Sequence, residues 1–243
     1  MGEVKIYITT HTDFDCPVSN PVYEILDSRK ILVGDKAENG IDALFYSELA
    51  SYKYVADHYD LPDYIGFCGY RKYYGFLDDV PDIPSIVDGH GCIATEPHHV
   101  RQNVYRHYSK CFCFADMDIA KAIVASRHGW LYPSFCEMLG NDWLYTCNMF
   151  IMRSGDFMVL MDVVWDVLDK LIEVIGEDVV ARIMSHQKLY LDKRGVAGTV
   201  AHQFRIGGNI GERIASAYIL NRFPEVKTYP IVFTESRRPH KRM

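Results

Sequence analysis

The chain lacks the apolar segments that direct proteins into or across membranes. Residues 1–6 contain no apolar region of the kind found in secretory signal peptides. No apolar run approaches the roughly 18 residues that a membrane-spanning helix needs. We therefore expect a cytoplasmic protein that does not span a membrane.

The sequence also lacks the features of disulfide-rich and nucleic-acid-binding proteins. Its seven cysteines show no C-x-x-C spacing, so we expect reduced thiols rather than a disulfide framework. The formal net charge is −6, whereas general nucleic-acid binders usually carry a basic excess. Nucleic acid is therefore not an expected partner.

Four common catalytic signatures are absent. The sequence contains neither the G-x-G-x-x-G nor the G-x-x-x-x-G-K-[ST] phosphate loop, and neither H-E-x-x-H nor G-x-S-x-G. These absences remove the commonest dehydrogenase, kinase, zinc-peptidase and hydrolase interpretations.

Strand and helix patterns follow one another along the chain, which is typical of an α/β protein. Runs rich in β-branched and aromatic residues predict strands at residues 5–10, 31–33, 64–68, 91–95, 145–152 and 229–233. Apolar residues at helical spacing predict a helix capped by Ser47, one capped by Asp116 and a long one from Ser154 to residue 175. We predict a single domain over residues 1–235.

A basic tail follows that domain. We expect residues 236–243 to be disordered. Basic side chains near an anionic membrane contribute about 1 kcal/mol each. The tail therefore predicts a weak peripheral contact with the inner face of the membrane.

One strand ends on a cluster of cationic and aromatic side chains. The buried run at residues 64–68 leads directly into Tyr70, Arg71 and Lys72, with two further tyrosines behind them. Open α/β sheets bind ligands at the carboxyl ends of their strands. Two positive charges among tyrosines indicate an anionic ligand that also carries rings or sugar hydroxyls.

Three polar features elsewhere have both a structural and a functional interpretation. Asn148 interrupts an apolar run, and a buried amide needs partners, so it bonds either the backbone or a polar ligand. Glu48 falls in a first helical turn, where a carboxylate interacts with the helix dipole, and we interpret it as structural. Gly207 and Gly208 predict a turn close to a ligand, with Glu212 at the helix start that follows.

Three stretches together resemble one protein family. They are residues 46–49 leading into residues 63–74, residues 148–152, and residues 211–214. In this order they are similar to a bacterial glycosyltransferase family, long catalogued as a domain of unknown function and found in capsular-polysaccharide and O-antigen clusters. Its members include galactofuranosyltransferases with a GT-A-like fold. The family usually has His-Tyr-Arg-Arg-Tyr, whereas this chain has Gly-Tyr-Arg-Lys-Tyr at residues 69–73. The departure that matters is Gly69 in place of the histidine.

The resemblance implies a GT-A-like domain with a mixed, mostly parallel central sheet flanked by helices. It implies transfer of a hexose, with galactofuranose as a candidate, from a UDP-sugar to a lipid-linked or oligosaccharide acceptor of a surface polysaccharide. Cationic side chains replace the acids that hold a metal in other GT-A enzymes, so we expect metal-independent transfer and no cofactor.

The same resemblance implies roles for individual residues. Arg71 and Lys72 would neutralise the leaving diphosphate, Arg71 with the better geometry. Glu212 would act as the base of an inverting transfer, with Asp142 as the second choice. The remaining predicted nucleotide-sugar contacts are Thr10, His11, Tyr70, Asn148 and Arg213.

Two alternatives remain open at the sequence level. Gly69 in place of the family histidine favours a catalytically silent module that binds a nucleotide-sugar or a glycan. The D-x-D formed by Asp116 and Asp118 favours a metal-dependent transferase, although Asp116 is also expected to cap a helix.

Overall fold

The structure is a computed structural model that describes residues 2–31, 45–186 and 205–234, except for the side chains of residues 177–186. The described strands are β1 (Val4–Thr10), β2 (Tyr23–Asp27), β3 (Tyr64–Gly69), β4 (Lys72–Tyr74), β5 (Cys92–Thr95), β6 (His98–His99), β7 (Trp143–Leu144), β8 (Phe150–Arg153), β9 (Lys227–Tyr229) and β10 (Ile231–Phe233). The described helices are α1 (Ser28–Ile31), α2 (Leu49–His58), α3 (Ile83–His90), α4 (Val104–Tyr108), α5 (Phe114–Arg127), α6 (Tyr132–Gly140), α7 (Ser154–His186) and α8 (Ile206–Arg222).

A mixed central sheet organises the fold. Strands β2, β1, β3, β8, β5 and β9 lie side by side, and β4 with β10 extends the sheet from the end of β3. The longest pairings, of β1 with β2 and with β3, are parallel, whereas β8 runs antiparallel to its two neighbours. The expected mixed, mostly parallel sheet flanked by helices is confirmed.

Apolar side chains cover both faces of this sheet. In β3, Ile65 and Phe67 point into one core cluster, and Tyr64 and Cys68 into the other. Strand side chains alternate between the faces of a sheet. Long helices pack on the first face, whereas α3 and the β4 tyrosines cover the second. Among the described residues, none of the helices combines the length and apolarity required to cross a bilayer.

Two strand predictions are wrong in part. The apolar run at residues 145–152 is not one strand, because only Phe150 onward pairs with the sheet and the backbone turns before it. Cys147 and Asn148 both have positive φ angles there, 72° and 49°. Ile31 ends α1 instead of starting a strand, and residues 32–33 lie outside the described residues. Strand β2 was not predicted.

The predicted helix boundaries also need correction. Glu48 rather than Ser47 caps α2, and Cys113 rather than Asp116 caps α5, so Asp116 lies within the first turn of that helix. Helix α7 does not end before Gly176 but continues to residue 186. The predicted helix at residues 179–191 is therefore the end of α7 as far as the described residues reach.

The glycine pair near the end of the chain is helical and does not form a turn. Gly207, Gly208 and Gly211 all lie within α8 and face the segment at residues 45–49. A Cβ on Gly208 would lie 2.8 Å from the Ser47 Cβ, and one on Gly207 would lie 2.8 Å from the Phe45 carbonyl oxygen. The absence of side chains therefore lets α8 approach the start of α2 closely.

This close approach yields a stability prediction. Gly207→Ala should lower the free energy of unfolding by about 1–2 kcal/mol, because overpacking against backbone outweighs the gain in helix propensity. Gly176→Ala is the matched control, since nothing lies within 4 Å of its added Cβ on α7. Urea unfolding of both variants checks the prediction. Equal stability of the two variants would contradict the tight packing of α8.

Candidate functional site

The sheet brings several predicted site residues to one edge. Strand β3 ends at Gly69, and the antiparallel β8 begins beside it, with Gly66 paired to Ile151. The turn before β8 therefore lies next to the hairpin that joins β3 to β4. Strand β1 runs parallel to β3 and ends at the same edge with Thr10. Ligands of open α/β sheets bind at such carboxyl ends.

Glu48 and Asn148 form the first hydrogen-bonded pair at this edge. The Asn148 Nδ2 donates to Glu48 Oε1 at 2.7 Å and to the Gly208 carbonyl oxygen at 3.3 Å. Ser47 Oγ donates to the other Glu48 oxygen at 2.6 Å. Asn148 is 3% exposed, and its Oδ1 has no hydrogen-bond partner in the described part of the chain. The two acceptors on Nδ2 fix the orientation of this amide.

Glu212 is held on the opposite side of the same turn. It lies in the second turn of α8, not at the helix start as predicted. One Glu212 oxygen accepts from the Cys147 backbone N–H, and the other accepts from Arg213 Nη1 at 3.3 Å. The Glu212 side chain remains 17% exposed, whereas that of Arg213 is 2% exposed. Consecutive residues, Cys147 and Asn148, thus connect the two carboxylates.

Lys72 brings a positive charge to this turn. Its Nζ donates to Cys147 Sγ at 3.1 Å. Burial lowers the pKa of the Lys72 amine, but the Cys147 sulfur and the carboxylates of Glu48 and Glu212 outweigh it, so the pKa is raised. Lys72 is therefore cationic at neutral pH.

The pKa of the Glu212 carboxyl is also raised, but here burial outweighs the nearby charges. Burial raises its pKa, and the Glu48 carboxylate adds to the rise. Arg213, the Cys147 N–H and Lys72 offset this only in part. A carboxylate with a raised pKa is the kind of group that serves as a general base near neutral pH.

The exposed side chains of His11 and Arg71 lie against the buried Tyr70 ring at the same edge. The His11 and Tyr70 rings meet edge to face at 5.3 Å, and the Arg71 guanidinium lies 4.9 Å from the Tyr70 ring centre. Arg71 is exposed, whereas Thr10 is buried and exchanges hydrogen bonds with Thr12. Arg71 is therefore accessible to a ligand, and Thr10 shapes the turn after β1.

Arg213 is buried against an aromatic side chain and a histidine. Its guanidinium lies 5.3 Å from the Tyr108 ring centre, and Nη2 is 3.3 Å from His107 Nδ1. Burial and the charges of Arg213 and Lys110 lower the pKa of His107 to about 4. His107 is therefore neutral at pH 7 and accepts from Arg213. Arg213 also donates to Glu212, which restrains that carboxylate from the helix side.

Asp142 lies in a different part of the fold from the predicted cluster. Its side chain is 72% exposed and is 3.9 Å from His99 Nδ1, beside the small β6–β7 pair. Among the described residues, no hydrogen bond joins Asp142 to Glu212.

The two aspartates of the D-x-D diverge on α5. Asp116 is 1% exposed, whereas Asp118 is on the surface and accepts a hydrogen bond from Tyr105 at 2.7 Å. Within the described ranges, no group of three or more His, Cys, Asp or Glu side chains is placed to hold a metal ion.

Sequence reasoning missed three members of the cluster. Glu48 was assigned to the helix dipole, and Cys147 and His107 were given no role at the site. Glu48 had a signal, because it belongs to the stretch at residues 46–49 that carries part of the family resemblance. Cys147 had none, since its part depends on a positive-φ turn that the apolar run conceals.

Comparison with known proteins places this geometry in context. Residues 5–186 match a family described as "Domain of unknown function (DUF4422)". The fold is similar to that of a solved structure titled as the apo form of WbbM, a bifunctional glycosyltransferase, with a TM-score of 0.75 and 20% sequence identity. The alignment covers 96% of this chain and 46% of that chain, so this chain spans about half of its length. No match was found among curated proteins.

The His107–Arg213 contact yields a prediction about pH. Because the folded-state pKa of His107 lies below its unfolded value of about 6.5, the unfolded chain binds more protons between pH 6.5 and 4. Stability is therefore fully present above pH 6.5 and falls as the solution is acidified. His107 should account for about 1 kcal/mol of the loss between pH 7 and 5, after allowance for its partial exposure.

Urea unfolding of wild type and His107→Gln across pH 5–9 checks this assignment. The variant should lose about 1 kcal/mol less on acidification from pH 7 to 5, because glutamine takes up no proton. Above pH 7.5 the two curves should run parallel, which is the internal control. Identical slopes below pH 7 would show that His107 titrates normally.

Proposed function

We propose that this protein transfers a hexose from a UDP-sugar to a glycan acceptor, because the chain belongs to the DUF4422 family and has the fold of a glycosyltransferase. Galactofuranose is the proposed hexose, and the acceptor is a lipid-linked or oligosaccharide precursor of a surface polysaccharide or O-antigen. The transfer inverts the anomeric centre and requires no metal. The observation that carries the proposal is the convergence of Lys72 with Glu48 and Glu212 at one sheet edge.

The diphosphate is assigned to the cationic hairpin after β3. Arg71 is exposed beside the Tyr70 ring, and a guanidinium presents a fork of donors that matches phosphate oxygens. Lys72 follows on β4 and extends the positive charge toward Cys147. Fixed cations of this kind stabilise the charge that develops on a leaving diphosphate.

Glu212 is assigned as the base that takes the proton of the acceptor hydroxyl. Its carboxylate is held by two donors and remains partly exposed, and its raised pKa suits proton abstraction near neutral pH. Asp142, the second choice from sequence, is less suitable because it is exposed and lies beside β6 and β7.

Metal independence rests on the properties of the D-x-D. Asp116 is buried and Asp118 is exposed, so the two carboxylates do not converge on one point. The acids that hold a metal in other transferases are replaced by Tyr70, Arg71 and Lys72 in this chain.

A binding-only module is the second candidate function. Gly69 replaces the histidine typical of related sequences, and a Cβ at this position would meet nothing within 4 Å. The space beside the hairpin is therefore unfilled where a ring is usual. Transfer activity that depends on Glu212 would exclude this candidate.

The hairpin assignment predicts a loss of nucleotide affinity. Arg71→Ala should weaken binding of UDP by about ten- to a hundredfold, because it removes a charge-assisted donor pair. Arg71→Lys should recover part of that affinity, since it restores the charge without the fork. Isothermal titration calorimetry measures both variants. Lys170→Ala removes an exposed cation on α7 and is the matched control.

The contradictory outcome is equally clear for this assignment. Unchanged UDP affinity in Arg71→Ala would show that the diphosphate does not bind at the hairpin. If the wild-type protein binds neither UDP nor any UDP-hexose, the proposed function itself fails.

The base assignment predicts a loss of turnover without a loss of donor binding. Glu212→Gln should slow sugar transfer by about 10²–10⁴-fold, which is the usual contribution of a general base, while UDP affinity changes by less than about twofold. Turnover of the wild-type protein should be the same with and without EDTA. A radiolabelled transfer assay with Glu137→Gln, an exposed carboxylate on α6, as control measures these effects.

Two results would overturn parts of this prediction. Full turnover in Glu212→Gln would remove Glu212 as the base. Loss of turnover in EDTA would establish metal-dependent transfer, which is the alternative that uses Asp116 and Asp118.

A further inference from the structure

The Glu48–Asn148 pair presents hydrogen-bond acceptors that its own contacts do not fully occupy. Glu48 is only partly buried, and each of its oxygens accepts one hydrogen bond, from Asn148 Nδ2 and from Ser47 Oγ. A carboxylate has about four lone-pair sites, so half of its accepting capacity remains. Helix α2 does not need this carboxylate as a side-chain cap, because Glu48 makes no capping hydrogen bond.

A second and independent observation points to a ligand at the same place. Asn148 is 3% exposed, and its Oδ1 is a buried acceptor that has no partner among residues 2–31, 45–186 and 205–234. Leaving a buried acceptor unpaired is costly, and such atoms in native structures are often completed by a ligand or a bound water. The backbone at Asn148 is itself held at a positive φ angle of 49°.

The chemistry of these groups selects the type of ligand. Glu48, Glu212 and the Asn148 Oδ1 are all hydrogen-bond acceptors, and two of the three are carboxylates. A diphosphate offers no donors at neutral pH and would be repelled. A sugar offers hydroxyl groups, each of which donates. The acceptor groups therefore suit the sugar, and the cationic hairpin suits the diphosphate.

We infer that Glu48 is a substrate-binding residue that accepts a hydrogen bond from a sugar hydroxyl. Asn148 positions Glu48 through Nδ2 and completes its own hydrogen bonding by accepting from a neighbouring hydroxyl through Oδ1. The inference rests on the proposed function and deepens it, because it places the sugar between Glu48 and Lys72. Glu48 thereby distinguishes a sugar with a correctly oriented hydroxyl from one without it.

Cys147 provides a reporter for this subsite that does not depend on turnover. Cys147 is partly buried, and its Sγ accepts a hydrogen bond from Lys72 Nζ. Asn148 is the next residue of the same turn. A sugar bound at Glu48 should slow alkylation of Cys147 by iodoacetamide. Cys113, which is exposed at the start of α5, is the control thiol within the same protein. Peptide mass spectrometry follows both rates.

The experiment compares the wild-type protein with Glu48→Gln. Glutamine keeps the acceptor for Asn148 and the shape of the side chain, but it removes the charge and turns one oxygen into a donor. UDP-galactose and UDP-galactofuranose should protect Cys147 at lower concentrations than UDP does in the wild type. In Glu48→Gln this advantage over UDP should fall about tenfold, because a hydrogen bond to a charged group is lost. Binding of UDP itself should be unchanged.

The source of the sugar is resolved by a second arm of the experiment. If the donor sugar occupies the subsite, protection by a UDP-hexose exceeds that by UDP and is unaffected by a methyl hexoside. If the acceptor sugar occupies it, a methyl hexoside adds to the protection that UDP gives. Either result supports the inference when Glu48→Gln reduces this sugar-specific protection of Cys147.

Failure of the inference can be told apart from failure of the proposed function. Unchanged sugar protection in Glu48→Gln overturns the subsite, even where UDP binds and transfer proceeds. A further outcome is that UDP fails to bind while a free hexose still protects Cys147 in the wild type but not in Glu48→Gln. That result would support the sugar subsite and contradict the assignment of a nucleotide-sugar donor. Absence of protection by any sugar overturns the subsite as well.

A second variant keeps the test decisive if Glu48→Gln fails to fold. Glu48→Asp retains the charge but withdraws it by one methylene, so it should also reduce the sugar-specific protection. Glu137→Gln should behave as the wild type. Equal protection in Glu48→Asp and the wild type would count against the inference.

Discussion

The close packing of helix α8 on the segment at residues 45–49 is the contact on which the candidate site depends. Three glycines face that segment, and at Gly207 the neighbouring atoms include a backbone oxygen that cannot be displaced cheaply. This packing brings Glu212 of α8 and Glu48, at the start of α2, to opposite sides of the turn at residues 147–148. Two carboxylates that are 164 positions apart in sequence, the difference between 212 and 48, thereby act on one short turn.

The turn before β8 converts this packing into a charged site. Its backbone N–H satisfies Glu212, its amide side chain satisfies Glu48, and its thiol accepts from Lys72. Each contact restrains a different element, so the positive φ angles of Cys147 and Asn148 are maintained by three sets of neighbours. The same turn would be strained in isolation, since β-carbon-bearing residues disfavour this conformation.

The general architecture could be predicted from sequence, whereas the details of the site could not. Period-two and apolar patterns located β1, β3, β5 and the long α7, because these elements bury whole faces against the sheet. The pattern at residues 145–152 suggested one strand, because a turn buried among apolar side chains has the same composition as a strand. The glycines of α8 suggested a turn, because only their three-dimensional neighbours reveal that they serve close packing.

Glu48 illustrates why local sequence rules understate function. A carboxylate in a first helical turn is explained by the helix dipole, and that explanation needs no partner. In the structure this residue forms no side-chain cap but bonds an amide from a turn 100 positions later. A side chain that satisfies a local rule can also make a long-range contact, and the long-range contact becomes visible only in the folded structure.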